Sequence, residues 1–462
     1  MPSKSELEAL RKEVKEITNK IMKLIGRRLL LTKRINEIKL SMGLPIIDYE
    51  VERNLKKSVI NTCKRYNVDE HFGLRILNLL IDEAVKAQNR IKSDISVIDI
   101  FVLAKKMEKE GEKVIHLEVG EPDFGPPNEV KKATYDAISK GYTHYTEPSG
   151  ISSLRESIAN SLSERYGIDL SFEQVAVTSG GRFSIYASIL STLSQGDEAI
   201  VIQPAWPAYI DCIKTVGGRV INVKTNLEEG WRPDIEYISN LVNNSTKLII
   251  INYPNNPTGK VLEKKDMKAL VDLAIDKNIT ILSDEVYSDY SFKPFNSILE
   301  FHECKSICVS SFSKSYGMTG FRIGYAVSDI ETIRKISRVQ ALAYTSVPEF
   351  IQYAAIEALK CKKHVKRYAN LIKKRIDLVC KELRKMNLSY YEPDGAFYVF
   401  PQISKSKSFD SGKFTLNLLK NKKVCVVPGI TFGDYPNFIR ISACKEEDLL
   451  LEGLKRIGEA LR

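Results

Sequence analysis

The chain has 462 residues, and its 43% hydrophobic and 27% charged residues are typical of a water-soluble globular protein of two or three domains. It has no run of about 18 apolar residues and no apolar core near its start, so it predicts neither a membrane span nor a secretory leader. Eight scattered cysteines without a CxxC pair predict reduced thiols, a cytoplasmic location and no metal site.

The net charge of +11 is distributed unevenly. Residues 1–93 hold 20 Lys and Arg against 12 Asp and Glu, which gives +8 there and +3 in the rest of the chain. Basic surfaces attract nucleic acids or small anions. Because zinc-finger, RNA-binding aromatic and Gly/Arg-rich motifs are absent from the sequence, small anions are favoured, and a nucleic-acid clamp is the alternative.

The first 93 residues are predicted to form a domain of three helices, over about 5–41, 48–65 and 69–92. Apolar residues in the first helix recur at steps of three and four, as in a coiled-coil seam: Leu7, Leu10, Val14, Ile17, Ile21, Leu24, Leu31, Ile35 and Ile38. A helix of about 55 Å cannot bury this seam against two short helices. The domain is therefore predicted to dimerise.

Three cations in the first helix are candidate ligands for a small anion. Arg28 occupies a position that the heptad reserves for an apolar residue, and it either binds an anion or extends to solvent at the edge of the domain. Lys39 shares its face about 16 Å away, whereas Arg11 is about 25 Å away along the helix. Arg11 could reach the same ligand only from an antiparallel partner chain.

Three further polar residues complete this candidate site. Asp48 and Glu52 are four residues apart and face the same way, and Gln88 interrupts a mostly apolar face. The cations could bind two carboxylates, and the other polar groups could bind hydroxyl and ether oxygens. This combination suggests that the ligand is a dianionic cyclic ether. No nucleophile or acid–base pair is evident, which suits a reaction that needs only binding and electrostatics.

Residues 5–92 resemble the all-helical chorismate mutases through ALRKEV, the Arg28 region, EIKLS, DYEVER and EAVKAQ. The resemblance implies that chorismate is held folded by six residues: Arg11 of a partner chain, Arg28, Lys39, Asp48, Glu52 and Gln88. It also implies that Lys39 and Gln88 stabilise the breaking ether oxygen as prephenate forms. Val51 and Ala84 stand where the family often has Arg and Ser. The alternative is a bundle that dimerises, or binds an aromatic product, without catalysis.

From residue 94 onward, short apolar runs alternate with amphipathic helices. QVAVTS, EAIVIQ, KLIIIN, ITILSDE and SICVSS are mostly too short for helices. Their alternation predicts an α/β domain, 94–462, with a mostly parallel sheet covered by helices. Ligands bind beyond the carboxyl ends of such strands, so the residues after each run are the candidates for a site.

Two of these strand ends suggest an anion and a flat ring. Gly180, Gly181 and Arg182 open a helix after QVAVTS, where bare backbone amides can bind phosphate. Trp206 follows EAIVIQ and could stack on a ring. Taken alone, a glycine turn and a tryptophan that packs a loop explain these residues as well.

The next two strand ends carry hydrogen-bonding and charged groups. Asn256 follows KLIIIN and precedes a proline, which favours an extended backbone. Asp284, Glu285 and Tyr287 follow ITIL. Because an unpaired carboxylate is unfavourable at the end of a buried strand, Asp284 is predicted to have a cationic partner.

The segment SSFSKSYGMTGFRIGY places Lys314 among small hydroxyl residues. A buried lysine tends to lose its charge, and a neutral amine attacks carbonyls to form an imine. Ser311, Ser313 and Arg322 would suit a neighbouring phosphate. The strand-end groups together fit pyridoxal phosphate, with its aldehyde at Lys314, pyridinium at Asp284, phenolate oxygen at Asn256 and Tyr287, ring at Trp206, and phosphate at Gly180–Arg182, Ser311 and Arg322.

Residues 94–462 resemble the fold-type I, class I aminotransferases of the aspartate aminotransferase family. The motifs are LEVGEPDF, YTEPSG, PAWPAY, NYPNNPTG, SDEVY, SKSYGMTGFRIGY and FIRIS. The resemblance implies a large domain with a smaller C-terminal domain. It also implies that Lys314 is the Schiff-base lysine and later moves the 1,3-proton, and that Asp284 keeps the ring nitrogen protonated.

The same resemblance extends to the substrate and to a neighbouring subunit. It implies that Arg440 binds the substrate α-carboxylate as a bidentate fork and that Gly120, Trp206 and Asn256 line the substrate site. Tyr145 would reach the cofactor phosphate of the neighbouring subunit, which predicts a homodimer. Arg182 stands where many relatives have Lys or another residue.

The two resemblances together predict a bifunctional enzyme of aromatic amino-acid biosynthesis. The first domain would supply prephenate, and the second would aminate prephenate, phenylpyruvate or 4-hydroxyphenylpyruvate with glutamate or aspartate as donor. The sequence contains no visible dehydratase or dehydrogenase domain, which favours prephenate. The alternative is an aspartate-type aminotransferase with a helical domain that only dimerises or regulates.

Overall fold

The computed structural model describes residues 4–42, 49–89, 97–406 and 408–462. The chain divides into two compact units, one of residues 1–94 and 195–197 and one of residues 95–194 and 198–462. In the described part of the chain, none of the helices is both long enough and apolar enough to cross a membrane.

Among its described residues, the first unit contains three helices, as predicted. They are α1 (Lys4–Ser41), α2 (Tyr49–Tyr66) and α3 (Glu70–Asn89). The predicted start of the second helix at Asp48 and the predicted end of the third at residues 90–92 lie outside the described residues. Helices α2 and α3 bury Cys63, Leu74 and Leu77, but the nine seam residues of α1 remain between 48% and 63% exposed.

The second unit contains thirteen helices among its described residues. They are α4 (Val97–Lys109), α5 (Asn128–Ser139), α6 (Ser152–Tyr166), α7 (Gly181–Thr192), α8 (Ala208–Thr215), α9 (Ile235–Leu241), α10 (Lys264–Lys277), α11 (Phe312–Ser315), α12 (Ile330–Ala343), α13 (Glu349–Lys360), α14 (Lys362–Lys385), α15 (Ser411–Lys422) and α16 (Glu447–Ala460).

A seven-stranded sheet forms the centre of the second unit. Its strands are β2 (Val175–Thr178), β3 (Glu198–Gln203), β4 (Arg219–Lys224), β5 (Thr246–Asn252), β6 (Thr280–Asp284), β7 (Ser306–Ser311) and β8 (Gly324–Val327), in the order β2-β8-β7-β6-β5-β3-β4. Strand β8 runs opposite to the other six strands, and the pairings among β3, β4, β5, β6 and β7 are parallel, so the predicted mostly parallel sheet is confirmed. The register pairs Asn252 with Asp284, which brings the ends of β5 and β6 to one edge.

Two small sheets lie in the second unit beside the central sheet. Strand β1 (Ile115–His116) pairs in parallel with β10 (Val424–Cys425). Strands β9 (Tyr398–Val399), β11 (Val427–Pro428) and β12 (Ile439–Ser442) form an antiparallel sheet in the order β11-β12-β9. Strands β9 and β12 pack in an apolar core with α14 and α16, and this core supports Arg440 of β12. Val427 of β11 packs in a separate aromatic cluster.

Candidate active site

A cavity of about 550 Å³ lies at the carboxyl ends of the central strands of the second unit. Twelve residues predicted from the sequence line it: Gly120, Gly181, Arg182, Trp206, Asn256, Asp284, Tyr287, Ser311, Ser313, Lys314, Arg322 and Arg440. Residues from the turns after β5, β6 and β7 therefore meet in one place, as expected for a parallel sheet.

Lys314 lies in α11, immediately after β7, where Ser311 caps the helix by accepting a hydrogen bond from the Ser313 amide. Its Nζ donates to the Gly120 carbonyl at 2.5 Å, and its own carbonyl accepts from the Tyr290 hydroxyl at 2.8 Å. Burial lowers the pKa of Lys314 to about 8. A substantial fraction of this amine is therefore neutral at mildly alkaline pH, as a nucleophilic lysine requires.

Asp284 is the last residue of β6 and is fully buried. Its Oδ2 accepts from the Tyr209 hydroxyl at 2.5 Å, and its Oδ1 accepts from the Val286 amide at 3.3 Å. Burial raises the pKa of Asp284 to about 6, against the opposing effects of these two hydrogen bonds and of Lys314. Tyr209 is thus a neutral partner of this carboxylate. The predicted cationic partner, the pyridinium of the cofactor, stays a prediction.

Glu285, the next residue, takes no part in the cavity. Its Oε1 accepts from Ser283 Oγ at 2.9 Å and from the Ile298 amide at 2.8 Å, and its Oε2 accepts from Ser297 Oγ at 2.7 Å. Burial raises the pKa of Glu285. Three neutral donors therefore satisfy this carboxylate, as buried polar groups require.

Arg440 is 6% exposed and projects from β12 into the cavity. Its Nη1 donates to Asn256 Oδ1 at 2.9 Å, its Nη2 donates to the Glu118 carbonyl, and its Nε is buried without a partner. The guanidinium lies 4.3 Å from the centroid of the Tyr398 ring. Among the described residues no carboxylate forms an ion pair with it, so it remains available for an anionic ligand.

A cradle for a dianion lies at the start of α7. Gly180 has φ 84°, and a Cβ there would lie 2.7 Å from Arg322 Nη2, so only glycine allows the guanidinium to pack so closely. Ser311 Oγ donates to Ser313 Oγ at 2.9 Å beside it. The helix amides, two hydroxyls and one guanidinium are the donors that a phosphate requires.

Aromatic side chains form the wall of the cavity. Trp206 stands edge-on to Tyr209, with ring centroids 5.4 Å apart, and the exposed Arg182 guanidinium lies 4.8 Å from the Trp206 ring centroid. The Tyr287 and Tyr398 hydroxyls share a hydrogen bond of 3.0 Å. Burial raises the pKa of Tyr287 well above its usual value.

Gly180 and Tyr145 are the two predicted residues of the second unit that do not line the cavity. Gly180 adjoins it through Arg322. Tyr145 is 87% exposed and does not line the cavity of its own chain. Its predicted contact with a neighbouring subunit stays a prediction.

The predicted residues of the first unit are only partly described. Arg28 is partly buried, its Nη1 donates to the Leu80 carbonyl of α3 at 2.9 Å, and burial lowers its pKa. Lys39 and Glu52 are partly buried at helix ends, whereas Arg11 is exposed. Asp48 and the side chain of Gln88 lie outside the described residues. The convergence of these groups on one ligand stays a prediction.

Two site tyrosines were not predicted from the sequence. Tyr209 lies within the PAWPAY motif, three residues after Trp206, and this spacing could have indicated a second cavity residue one helical turn on. Tyr398 is in a two-residue strand outside the motifs, and no local pattern indicates its contact with Tyr287.

The residues present fit pyridoxal phosphate. A partly neutral buried lysine, a buried carboxylate and a helix-start cradle lie in one cavity. The absence of a Cβ at Gly180 shapes the cradle, and the unpartnered Nε of Arg440 marks a second anion position.

Comparison with known proteins agrees with both resemblances. Residues 112–457 match the family model for aminotransferase class I and II, and residues 10–89 match that for chorismate mutase type II. An aspartate aminotransferase of Thermotoga maritima is 38% identical over 79% of this chain and 96% of its own. A probable aspartate/prephenate aminotransferase of Aquifex aeolicus is 35% identical over 79% of this chain and 95% of its own.

A solved structure agrees with the fold as well. The aromatic aminotransferase of Pyrococcus horikoshii has a TM-score of 0.72 and 32% identity, over 78% of this chain and 98% of that one. The chain therefore belongs to the class I and II aminotransferase family, with a chorismate mutase type II domain before it, and it is a pyridoxal-phosphate-dependent transferase with chorismate mutase activity.

Proposed function

We propose that the chain makes prephenate from chorismate in its first domain, residues 1–93, and aminates prephenate or an aromatic 2-oxo acid in its second domain, residues 94–462. The observation that carries the choice of acceptor is a pair of guanidiniums, Arg440 and Arg182, that line one cavity together with Phe101 and Phe432. Prephenate carries two carboxylates and a ring, and it matches this combination of charge and apolar wall.

In the second domain, the bound cofactor supplies an electron sink for the substrate α-carbon. Arg440 holds the α-carboxylate and Lys314 Nζ takes up and returns the proton, because this amine is poised close to working pH. Asp284 would bind the ring nitrogen and stabilise a proton on it. The phosphate would be held in the cradle of Gly180, Gly181, the Arg182 backbone amide, Ser311, Ser313 and Arg322, which leaves the Arg182 guanidinium for the substrate. Trp206, Asn256 and Tyr287 would hold the ring and its oxygen.

In the first domain, Arg28 and Lys39 bind the two carboxylates of chorismate, and Asp48 and Glu52 bind its hydroxyl side. Lys39 and Gln88 stabilise the charge that develops on the ether oxygen, so the protein contributes binding and electrostatics alone. Arg11 completes the site from a partner chain. The exposed apolar seam of α1 supports this dimer, because nothing in the described part of the chain buries it.

The acceptor is tested by comparing kcat/KM for prephenate, phenylpyruvate, 4-hydroxyphenylpyruvate and oxaloacetate with glutamate as donor. We expect prephenate to be the best acceptor. We also expect Arg182→Gln to lower kcat/KM for the two dicarboxylates at least about tenfold, the loss of one charge-assisted contact, and to spare the monocarboxylates. Arg367→Gln, at an exposed position on α14, is the matched control.

The second candidate is an aspartate-type aminotransferase, which the aspartate aminotransferase relative favours. A kcat/KM for oxaloacetate well above those for prephenate and both aromatic acceptors would establish that candidate and overturn ours. A second arm supplies chorismate and glutamate to the intact enzyme. Mass spectrometry should then detect arogenate, the amination product of prephenate, and accumulation of unaminated prephenate would contradict prephenate as the acceptor.

A further inference from the structure

Tyr209 is a buried residue of α8 to which the mechanism above gives no role. Its side chain is 2% exposed, it lines the cavity, and its hydroxyl donates to Asp284 Oδ2 at 2.5 Å. The Trp206 ring packs edge-on against it at an interplanar angle of 86°. Both packing and hydrogen bonding therefore fix the orientation of this hydroxyl.

The other groups that face Asp284 cannot replace this hydrogen bond. The titratable groups around it are Tyr209, Lys314, Tyr287, Tyr398 and Cys308. In the described part of the chain, Tyr209 is the only one whose side chain donates a hydrogen bond to the Asp284 carboxylate. The remaining donor is the Val286 amide, at 3.3 Å from Oδ1.

A donor at this position has a clear physical effect. Burial favours the neutral form of Asp284 and raises its pKa to about 6, and the hydrogen bond from Tyr209 opposes that rise. A neutral carboxyl group cannot stabilise a protonated ring nitrogen. Removing the donor should therefore move the loss of the Asp284 charge to higher pH.

We propose that Tyr209 is a positioning residue for amino transfer, whose hydroxyl keeps the Asp284 carboxylate charged and oriented toward the ring nitrogen of the cofactor. This inference rests on the role proposed above for Asp284. Tyr209 acts through Asp284, and no contact between its hydroxyl and the substrate is invoked.

The test is a titration of the apoprotein with pyridoxal phosphate, followed by tryptophan fluorescence at a series of pH values, because Trp206 lines the cavity. Cofactor affinity of the wild type should fall as Asp284 becomes protonated. In Tyr209→Phe the same fall in affinity should occur about one pH unit higher. This shift is equivalent to a tenfold change in the acid dissociation constant of Asp284, or about 1.4 kcal/mol. Tyr390→Phe removes a different hydroxyl, which donates to the Cys380 carbonyl at 2.9 Å, and should leave the profile unchanged.

Asp284→Asn separates the possible failures. If the proposal is correct, this variant binds the cofactor weakly without the acid-side transition, and adding Tyr209→Phe to it changes the affinity little. Two results overturn the role of Tyr209 alone. One is a pH dependence of cofactor affinity that Tyr209→Phe does not shift, and the other is a loss of affinity that is equal at every pH in both the wild-type and the Asp284→Asn background. Wild-type affinity and pH dependence in Asp284→Asn overturns the role proposed for Asp284, and that of Tyr209 with it.

Discussion

Gly120→Ala should disable the aminotransferase site by a steric effect that can be worked out from the structure. A Cβ at residue 120 would overlap the Tyr398 hydroxyl oxygen and lie 3.1 Å from Tyr398 Cζ. Tyr398 is 2% exposed and is held by the Tyr287 hydroxyl and the Arg440 guanidinium, so it cannot swing away. Either the backbone at residue 120 or the Tyr398 side chain must move by about 1 Å to restore normal contacts.

The shift matters because the Gly120 carbonyl accepts the hydrogen bond from Lys314 Nζ. A displacement of about 1 Å near the reacting groups lowers rates about 10²-fold, so kcat/KM for amino transfer should fall by that factor. Steady-state kinetics with glutamate and prephenate measures it, and chorismate mutase activity should be unchanged. Gly125→Ala is the matched control, since a Cβ there has no atom within 4 Å.

A double-mutant cycle isolates the clash from other effects. Tyr398→Phe removes the overlapping oxygen and leaves Cζ at 3.1 Å and Cε1 at 3.4 Å, which small movements can accommodate. Gly120→Ala should then reduce the rate far less in the Tyr398→Phe background, with a coupling free energy of about 1–3 kcal/mol. Wild-type kinetics in Gly120→Ala, or the same loss in both backgrounds, would refute the steric reasoning.

Three further predictions concern other groups. Arg440→Lys should lower kcat/KM about tenfold to a hundredfold, mainly by raising KM for the amino acid, because lysine cannot form the bidentate hydrogen bonds to the α-carboxylate. An unchanged KM would contradict this prediction. Lys39→Ala should lower mutase kcat about 10²-fold and leave amino transfer intact, and equal loss of both activities would argue for misfolding instead. His116 bonds Glu118 at 2.7 Å and Glu108 at 3.0 Å, and its pKa is raised chiefly by Glu118. The charged form of His116 therefore stabilises the fold below the unfolded pKa of about 6.5, and this stabilisation is lost as pH rises through the folded pKa. His116→Gln should lower the thermal unfolding temperature more at about pH 5.5 than at about pH 9.

The sequence predicted much of the central sheet and of the cavity. Five apolar runs became strands, and the residues after them meet because the carboxyl ends of parallel strands share one edge. Lys314, Asp284 and Asn256 could be located in this way from strand positions alone. Arg440 could be located only by resemblance, since it comes from a small antiparallel sheet late in the chain.

Other features depend on contacts between distant segments. Strand β8 was not predicted because its run GYAV directly follows the glycine-rich turn, and β4 was not predicted either. The hydrogen bond that Tyr209 donates to Asp284, 75 residues later in the chain, was not predicted from the sequence. Tyr398 likewise meets Tyr287 across 111 residues. Local patterns carry no information about such pairs.

The central claim is that Lys314 holds the cofactor within the cavity of the second unit. Borohydride reduction of the cofactor-loaded enzyme, followed by peptide mass mapping, tests this claim most directly. The account predicts a pyridoxyl group on Lys314 and on no other lysine. A modified lysine elsewhere in the chain, or no modified lysine at all, would contradict it.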